Sequence, residues 1–273
     1  ITASTCFGVG SDIITTSGVP TSVKITEDDA ITQGSAWALT GRSVDLIAEN
    51  NKGITLTNVA NQMGNLTVTG GAVAITENDA ITQGGAWTTT GPTTLTTTAA
   101  NAGVTLTNAA NVLGNLAISG AANVAITEND DITQASAWNL GTAAVALNAG
   151  THDVAFTQAL NKVGDLVVTA ANAAITENDV ISDGGAWYVS GLTTLPAGPN
   201  AIVLDANPRS QFGTVKIVSA SSADILARNA IEFDTSTVTG GLTVNASGPI
   251  TQIGAIRAGS LLLSGAGPGT LAN

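Results

Sequence analysis

Residues 75–87 read ITENDAITQGGAW, and close copies of this block occur at three other places in the chain. The copies begin at Ile25, Ile126 and Ile175, so the four leading isoleucines are separated by 50, 51 and 49 residues. All four tryptophans of the chain stand at the ends of these blocks. Self-similarity at a fixed period of a few tens of residues is the signature of a repeat architecture.

The repeat unit is predicted to consist of about six short strands, because apolar residues alternate with Thr, Ser or Asn in short runs. In the second copy these strands are predicted at residues 73–76, 80–83, 87–90, 93–97, 104–107 and 115–119. Strands this short, joined by tight corners without helices, favour a β-solenoid whose coils pair in parallel about 4.8 Å apart. A β-propeller with blades of this period is the second interpretation, whereas an antiparallel sandwich does not explain the repetition.

The fold class predicted from this pattern is all-β, a single parallel β-helix (β-solenoid) of about five repeats of roughly 50 residues. Residues 1–24 are predicted to form a partial N-terminal coil, 25–224 four repeats and 225–273 a degenerate fifth, all in one continuous domain. The fifth copy keeps the apolar frame around Ile225 but loses the acids, and Thr237 takes the tryptophan position. If all tryptophans share one face, each repeat holds two coils of about 25 residues. Two and a half coils of about 20 would place successive tryptophans on opposite faces. Two coils per repeat is the arrangement predicted.

Composition excludes several classes of function. The formal net charge is -12, from 20 acidic and 8 basic residues. Nucleic acid and anionic lipid are therefore not expected as partners, because both are bound by clustered Lys and Arg. No apolar run approaches the ~18 residues of a membrane-spanning helix. The single cysteine, Cys6, cannot form an internal disulfide.

The acidic corner of each block is the candidate metal site, because clustered oxygen ligands on a tight turn suit Ca²⁺. Ca²⁺ is the only cofactor predicted, and these are its candidate ligands: Glu27, Asp29, Glu77, Asp79, Glu128, Asp130, Glu177 and Asp179. The alternative interpretation is that Asp and Asn occupy the corners because they tolerate turn conformations and bond the local backbone.

The tryptophans allow three interpretations. Each ring could pack into a corner of the coil, contact a neighbouring subunit, or join an exposed row that stacks on carbohydrate. The small residues before each ring favour packing or subunit contact for Trp37, Trp87, Trp138 and Trp187.

Two segments resemble the haemagglutination-type β-strand repeats of filamentous haemagglutinin-like exoproteins. One is GGLTVNASGPITQIGAIRAGSLLLSGAG at 240–267, and the other is residues 80–120. The resemblance covers most of residues 25–267. It implies a right-handed parallel β-helix, export from a Gram-negative bacterium, and a role in adhesion or surface fibres. No catalytic residues come with these repeats.

The function predicted is therefore structural, not enzymatic: an extracellular or bacterial cell-surface protein that forms part of an adhesive fibre. Its expected partner is itself, as a homopolymer or a longer fibre, because solenoid ends expose strand edges that template further pairing. The alternative is a carbohydrate-binding or carbohydrate-cleaving β-helix, for which host or matrix carbohydrate would be the partner.

Overall fold

The computed structural model describes residues 4–9, 12–17 and 21–266, the first two ranges by their backbone alone. This part of the chain is all-β and contains no helix; its strands are parallel and stacked as a β-solenoid, except for one N-terminal pair. Within residues 4–9, 12–17 and 21–266, accordingly, nothing helical has the length and apolar character needed to cross a membrane. The predicted fold class is confirmed; the right-handed sense of the coil stays a prediction.

Two compact units make up the chain, an N-terminal unit of residues 1–136 and a C-terminal unit of residues 137–273. The strands described in the N-terminal unit are β1 (Ser4–Val9), β2 (Asp12–Ser17), β3 (Ser22–Glu27), β4 (Ile31–Thr32), β5 (Ser43–Ala48), β6 (Ile54–Leu56), β7 (Asn65–Gly70), β8 (Val73–Glu77), β9 (Ile81–Gln83), β10 (Thr88–Thr89), β11 (Thr93–Thr97), β12 (Val104–Leu106), β13 (Leu116–Ser119), β14 (Asn123–Thr127) and β15 (Ile132–Thr133). Those described in the C-terminal unit are β16 (Ala144–Asn148), β17 (Val154–Phe156), β18 (Leu166–Ala170), β19 (Ala173–Ile175), β20 (Ile181–Ser182), β21 (Tyr188–Pro196), β22 (Ala201–Leu204), β23 (Gln211–Ser219), β24 (Ser222–Ala227), β25 (Ile231–Phe233), β26 (Ser236–Ala246), β27 (Ile250–Gln252) and β28 (Ile256–Gly265). The prediction of one continuous domain stays a prediction.

One coil takes about 20 residues. Ser22 pairs with Ser43 and Ser43 with Asn65, which are steps of 21 and 22 residues. The prediction of two 25-residue coils per repeat is therefore wrong, and a 50-residue repeat makes about two and a half coils. The prediction failed because it assumed that all tryptophans share one face.

Half-integer coiling moves equivalent strands to opposite sheets within each unit. In the N-terminal unit, the strand that contains Ile25 pairs with β5, whereas the strand that contains Ile75 pairs with β6 and β11 in another sheet. Ile126 returns to the first sheet, where β14 pairs with β12. In the C-terminal unit, the strands of Ile175 and Ile225 likewise belong to different sheets.

The core is a set of aliphatic ladders that run from coil to coil. Ile25 pairs with Leu46 and Leu46 with Val68, and all three side chains are buried. β5 and β7, which carry Leu46 and Val68, alternate buried and more exposed positions, as the pleat requires. Burying one such side chain stabilises the fold by roughly 1.5–3 kcal/mol, so the ladders supply the apolar driving force of every coil.

The N-terminal pair β1–β2 is antiparallel, unlike the coils that follow it. Of residues 1–24, predicted as a partial N-terminal coil, the structure describes β1, β2 and the first residues of β3. Cys6 belongs to β1, for which the side chains are not described. In the second repeat, each of the six predicted strands overlaps an observed one, and 93–97 is matched residue for residue.

A recurring glycine lets neighbouring coils approach closely. A Cβ placed on Gly64 would overlap the backbone of Arg42, and one on Gly114 or Gly164 would overlap the carbonyl of Gly91 or Thr142. At the first of these sites the two coils are also hydrogen-bonded: the amide of Asn65, the residue after Gly64, donates to the Arg42 carbonyl at 2.7 Å.

We expect Gly64→Ala to destabilise the N-terminal unit, because the backbone of Arg42 must move to admit a methyl group. A backbone shift of this kind costs roughly 1–3 kcal/mol. The measurement is the midpoint of chemical denaturation.

Gly34→Ala is the matched control, because a Cβ there has open space around it and the residue has no positive φ. Equal midpoints for the two variants would show that the coils are not in close contact at Gly64.

Candidate functional site

The four tryptophan rings lie in the core. All four are among the largest fully buried side chains: Trp37, Trp87, Trp138 and Trp187. The indole Nε1 of Trp87 donates to the Leu66 carbonyl at 2.9 Å, and that of Trp187 donates to the Leu166 carbonyl at the same distance. No ring face is therefore open for stacking on a sugar.

A buried asparagine joins each of the first three tryptophans to the neighbouring coils. Asn61 Oδ1 accepts a hydrogen bond from the Trp37 amide at 2.9 Å. Its Nδ2 donates to the Leu56 carbonyl at 3.2 Å and to the Thr76 carbonyl at 3.0 Å. One fully buried amide thus connects three successive passes of the chain and satisfies backbone groups that the strand ladders leave out.

The same arrangement recurs in the other repeats. Asn111 accepts from the Trp87 amide and donates to the Thr127 carbonyl, each at 2.9 Å. Asn161 accepts from the Trp138 amide at 2.9 Å. In the fourth repeat Ser210 takes the place of asparagine, and its hydroxyl accepts from the Trp187 amide at 3.2 Å.

From the sequence, these asparagines belong to a second repeated polar turn whose amides are predicted to form stabilising ladders along the solenoid. The contacts of the asparagines with the tryptophan amides were not predicted. The signal that could have found them is a fixed separation from the tryptophan. The acceptor follows the tryptophan by 24, 24, 23 and 23 residues in the four repeats. That distance is slightly more than one coil, so the two residues meet at the same corner.

The acidic corner lies directly beside the asparagine. The Asn78 amide donates to the Asn61 carbonyl at 2.6 Å. Glu77 is completely buried, and its Oε2 accepts a hydrogen bond from the Met63 amide at 2.9 Å. The Glu77 carboxyl is also hydrogen-bonded to Asp79. Glu77 Oε1 and Asp79 Oδ1 are both buried, and neither receives a hydrogen bond from an N–H group of the described residues.

One proton shared by the two carboxyl groups accounts for this geometry. Burial first, and the neighbouring Asp79 carboxyl second, together raise the pKa of Glu77 to about 9. Glu77 is therefore protonated at neutral pH, and its O–H donates to Asp79. A buried acid in this state avoids the large cost of leaving an uncompensated charge in the core.

Two further repeats hold the same carboxyl pair. Glu128 accepts from the Leu113 amide at 3.0 Å and is hydrogen-bonded to Asp130. Glu177 accepts from the Val163 amide at 3.3 Å and is hydrogen-bonded to Asp179. Burial is the largest cause that raises the pKa of each glutamate to about 9.

The first copy differs from the other three. Glu27 is half-buried, and Asp29 is exposed and forms an ion pair with Lys52 at 3.6 Å. The structure thus brings the predicted acids together in three repeats and leaves them more open in the first.

The fifth copy makes the same contact without an acid. Ala227 occupies the glutamate position, and Asn229 Oδ1 accepts from the Phe212 amide at 3.2 Å. Asn229 Nδ2 then donates to the Phe212 carbonyl at 2.8 Å. The Asn229 side-chain amide therefore satisfies the backbone at this corner without the shared proton of the carboxyl pairs.

Calcium binding at the acidic corners stays a prediction. Ca²⁺ takes six to eight oxygen ligands. Across residues 21–266, no group of three or more acidic, histidine or cysteine side chains is placed to hold a metal ion. The candidate ligands form carboxyl pairs instead, so a Ca²⁺ ion there would depend on carbonyl groups and water.

We expect Asn111→Ala to be strongly destabilising, because it leaves the Trp87 amide and the Leu106 and Thr127 carbonyls without their buried partner. Each unsatisfied group costs about 1–3 kcal/mol. The denaturation midpoint of Asn111→Ser should lie between those of Asn111→Ala and the native protein, since Ser210 occupies the equivalent position in the fourth repeat. The measurement is the denaturation midpoint.

Asn108→Ala is the control for this experiment. Asn108 bonds only the turn amide of Ala110 through its side chain, at an exposed position. A midpoint for Asn111→Ala as high as that of Asn108→Ala would contradict the role of the buried amide.

Stability is expected to fall as the pH rises from about 4.5 to about 9. In that window the folded protein holds protons on Glu77, Glu128 and Glu177 that the unfolded chain, with the ordinary pKa of 4.5, has released. The stabilisation is complete below about pH 4.5 and is lost through about pH 9. The measurement is the melting temperature as a function of pH.

A triple Glu→Gln variant at the same positions should flatten this pH dependence, because glutamine supplies a permanent N–H donor to each aspartate. Equal pH profiles for the variant and the native protein would rule out the shared proton. If Ca²⁺ occupies the corners instead, EDTA will lower the melting temperature at neutral pH.

A model of a repeat family matches the chain over residues 9–70, 62–116, 112–170, 162–219 and 220–273. Searches of curated proteins and of solved structures find no match. The resemblance to filamentous haemagglutinin-like proteins therefore has support for a repeat family and a β-solenoid, and the specific family stays a prediction. Because the five matched segments span nearly all of the sequence, the chain belongs to the family described as repeats of unknown function (DUF5649).

Proposed function

We propose that this chain is a structural protein of a bacterial surface or of an extracellular adhesive fibre, joined to its neighbours through the ends of β-solenoid coils. The observation that carries the proposal is an uncovered core at the last described coil. Its inward leucines are in register with a buried ladder, yet they stand partly open to solvent.

The exposed ladder belongs to β28. Leu261 pairs with Leu242 and Leu263 pairs with Val244, so the two leucines occupy core positions. Leu242 is 1% exposed, whereas Leu261 is 43% exposed. Within residues 21–266, β28 pairs with β26 on one side and with no strand on the other. A further coil of the same kind would cover these side chains and pair with the free edge.

The contact proposed is a continuation of the solenoid. The further coil comes from a second copy of the chain or from more of the same chain, which are the homopolymer and the longer fibre respectively. The extracellular or cell-surface location is supported by the acidic, Thr- and Gly-rich composition and by the resemblance to exported repeat proteins.

A structural role also agrees with where the unusual acids lie. Glutamates with raised pKa values are candidate catalysts when they face a cleft. Glu77, Glu128 and Glu177 are instead buried, and each contacts a backbone amide of the preceding coil. We propose no catalytic activity for them.

The purified chain is expected to form fibres or higher oligomers as its concentration rises, because the β28 edge and its leucines pair with another copy. Substituting Leu261→Asp together with Leu263→Asp should abolish this association by placing charges in the contact. Analytical ultracentrifugation and negative-stain microscopy measure it.

Leu262→Asp is the matched control, because Leu262 pairs with Thr243 on the outward face and is already 63% exposed. Circular dichroism checks that each variant keeps its β-structure. A native chain that stays monomeric at every concentration would contradict assembly between copies, and so would equal loss of association in the control.

A further inference from the structure

A groove crosses the C-terminal unit along one corner of its coils. Its volume is about 340 Å³, and its lining comes from successive passes of the chain, from Gly150 to Asn229. The passes are neighbours in the stack: Asn148 pairs with Thr169, Thr169 with Tyr188 and Tyr188 with Gln211. Five passes spaced by about 4.8 Å give a length of roughly 19 Å, which suits an extended, linear ligand.

Tyr188 is the distinctive residue of this groove. It is the only tyrosine of the chain, and its side chain is 41% exposed. The four tryptophans and Phe156, Phe212 and Phe233 are buried. Among residues 21–266, Tyr188 therefore presents the one aromatic ring that solvent reaches to this extent.

The polar groups around the ring have hydrogen-bonding capacity left for a ligand. Within the described chain, the side chains of Gln211, Ser190 and Thr151 form no hydrogen bond, and neither does the Tyr188 hydroxyl. Asn229 closes one end, where its amide is committed to Phe212. Hydroxyl and amide groups beside an exposed ring match the alternating apolar faces and hydroxyl edges of a sugar.

The groove is also uncharged. None of its lining residues carries a charge, although the whole chain has a net charge of -12. Small residues, Gly150, Ala170 and Gly213, form part of the lining, so a ligand can approach the backbone there. An uncharged groove gives no electrostatic attraction to a charged polymer, whereas it suits a neutral one.

We propose that this groove binds a linear, uncharged oligosaccharide, with the Tyr188 ring as the stacking surface and Gln211, Ser190 and Thr151 as hydrogen-bonding groups. The proposal concerns the side of the coils and does not rest on fibre assembly, which involves the β28 edge.

A second groove in the N-terminal unit supplies an internal comparison. Four of its lining residues stand two repeats before residues of the first groove: Thr69 for Thr169, Gly70 for Ala170, Thr88 for Tyr188 and Thr90 for Ser190. Its volume is about 370 Å³. It lacks the aromatic ring, and Glu49 adds a charge to its lining. The two grooves therefore have similar volumes and share three equivalent passes of the chain, but the N-terminal groove lacks the ring and the passes that correspond to Gln211 and Asn229.

The single tyrosine allows a direct test in the whole chain. Incorporating 3-fluorotyrosine places one fluorine label in the groove, and ¹⁹F NMR follows it while cellohexaose or maltohexaose is added. We expect a saturable shift of the resonance with at least one of these uncharged hexasaccharides, and none with hexagalacturonate of the same length. Isothermal titration calorimetry on unlabelled protein gives the dissociation constant.

Matched variants then assign the binding to the ring. Tyr188→Thr reproduces the residue of the N-terminal groove and should weaken binding by roughly tenfold. Thr88→Tyr should add a second fluorine resonance from the N-terminal groove. A saccharide-dependent shift of that resonance would show that the ring alone is enough to create a binding site. Circular dichroism verifies that both variants fold.

The proposal is overturned if neither neutral hexasaccharide shifts the resonance at up to about 10 mM, the weak end of measurable affinity. Unchanged affinity in Tyr188→Thr would also overturn it, as would equal binding of hexagalacturonate. Loss of association in the β28 variants, with saccharide binding retained, would separate this site from the assembly contact.

Discussion

The corner amide is the interaction on which the stacking of the coils depends. The strands from β3 to β20 have only two to six residues and form short ladders, so many backbone groups of these coils lie at corners with no strand partner. Buried groups of this kind must be satisfied inside the protein. Asn61, Asn111 and Asn161 do so by holding a tryptophan amide of the preceding pass and a threonine carbonyl of the following pass. The ITENDAITQGGAW block is thus bonded to one amide at its start and to the next at its end.

At the acidic corner beside each asparagine, a glutamate in three repeats and Asn229 in the fifth accept a hydrogen bond from a backbone amide of the preceding coil. A backbone amide of the preceding coil needs an acceptor, and a carboxyl group or an amide oxygen can provide it. The acid requires a proton and an aspartate beside it, whereas Asn229 needs neither, because its own N–H₂ group bonds the same residue. The repeated acids therefore belong to the interior of the fold, although a surface metal site is what their spacing first indicates.

How far the sequence predicts this structure depends on the range of each interaction. The six strands of the second repeat and the parallel stacking follow from local alternation and from the repeat period. The number of coils does not, because nothing local shows on which face Trp37 and Trp87 lie. The role of Asn61 was missed since its partners are 15 and 24 residues away. The burial and protonation of Glu77 also depend on Met63, a neighbour in the preceding coil. The similar sequence around Glu27 forms a more exposed site, so the motif alone does not determine burial.

Each repeat contains about two and a half coils, so a repeat ends half a coil away from the position at which it began. Every additional repeat turns the sequence that follows it by half a circuit, so odd-numbered and even-numbered copies present their side chains to opposite sheets. Within a unit, a surface feature can therefore recur on the same side only after two repeats. Duplication or deletion of a single repeat would exchange the sides of everything downstream, whereas a pair of repeats could be gained or lost with the pattern of each face preserved.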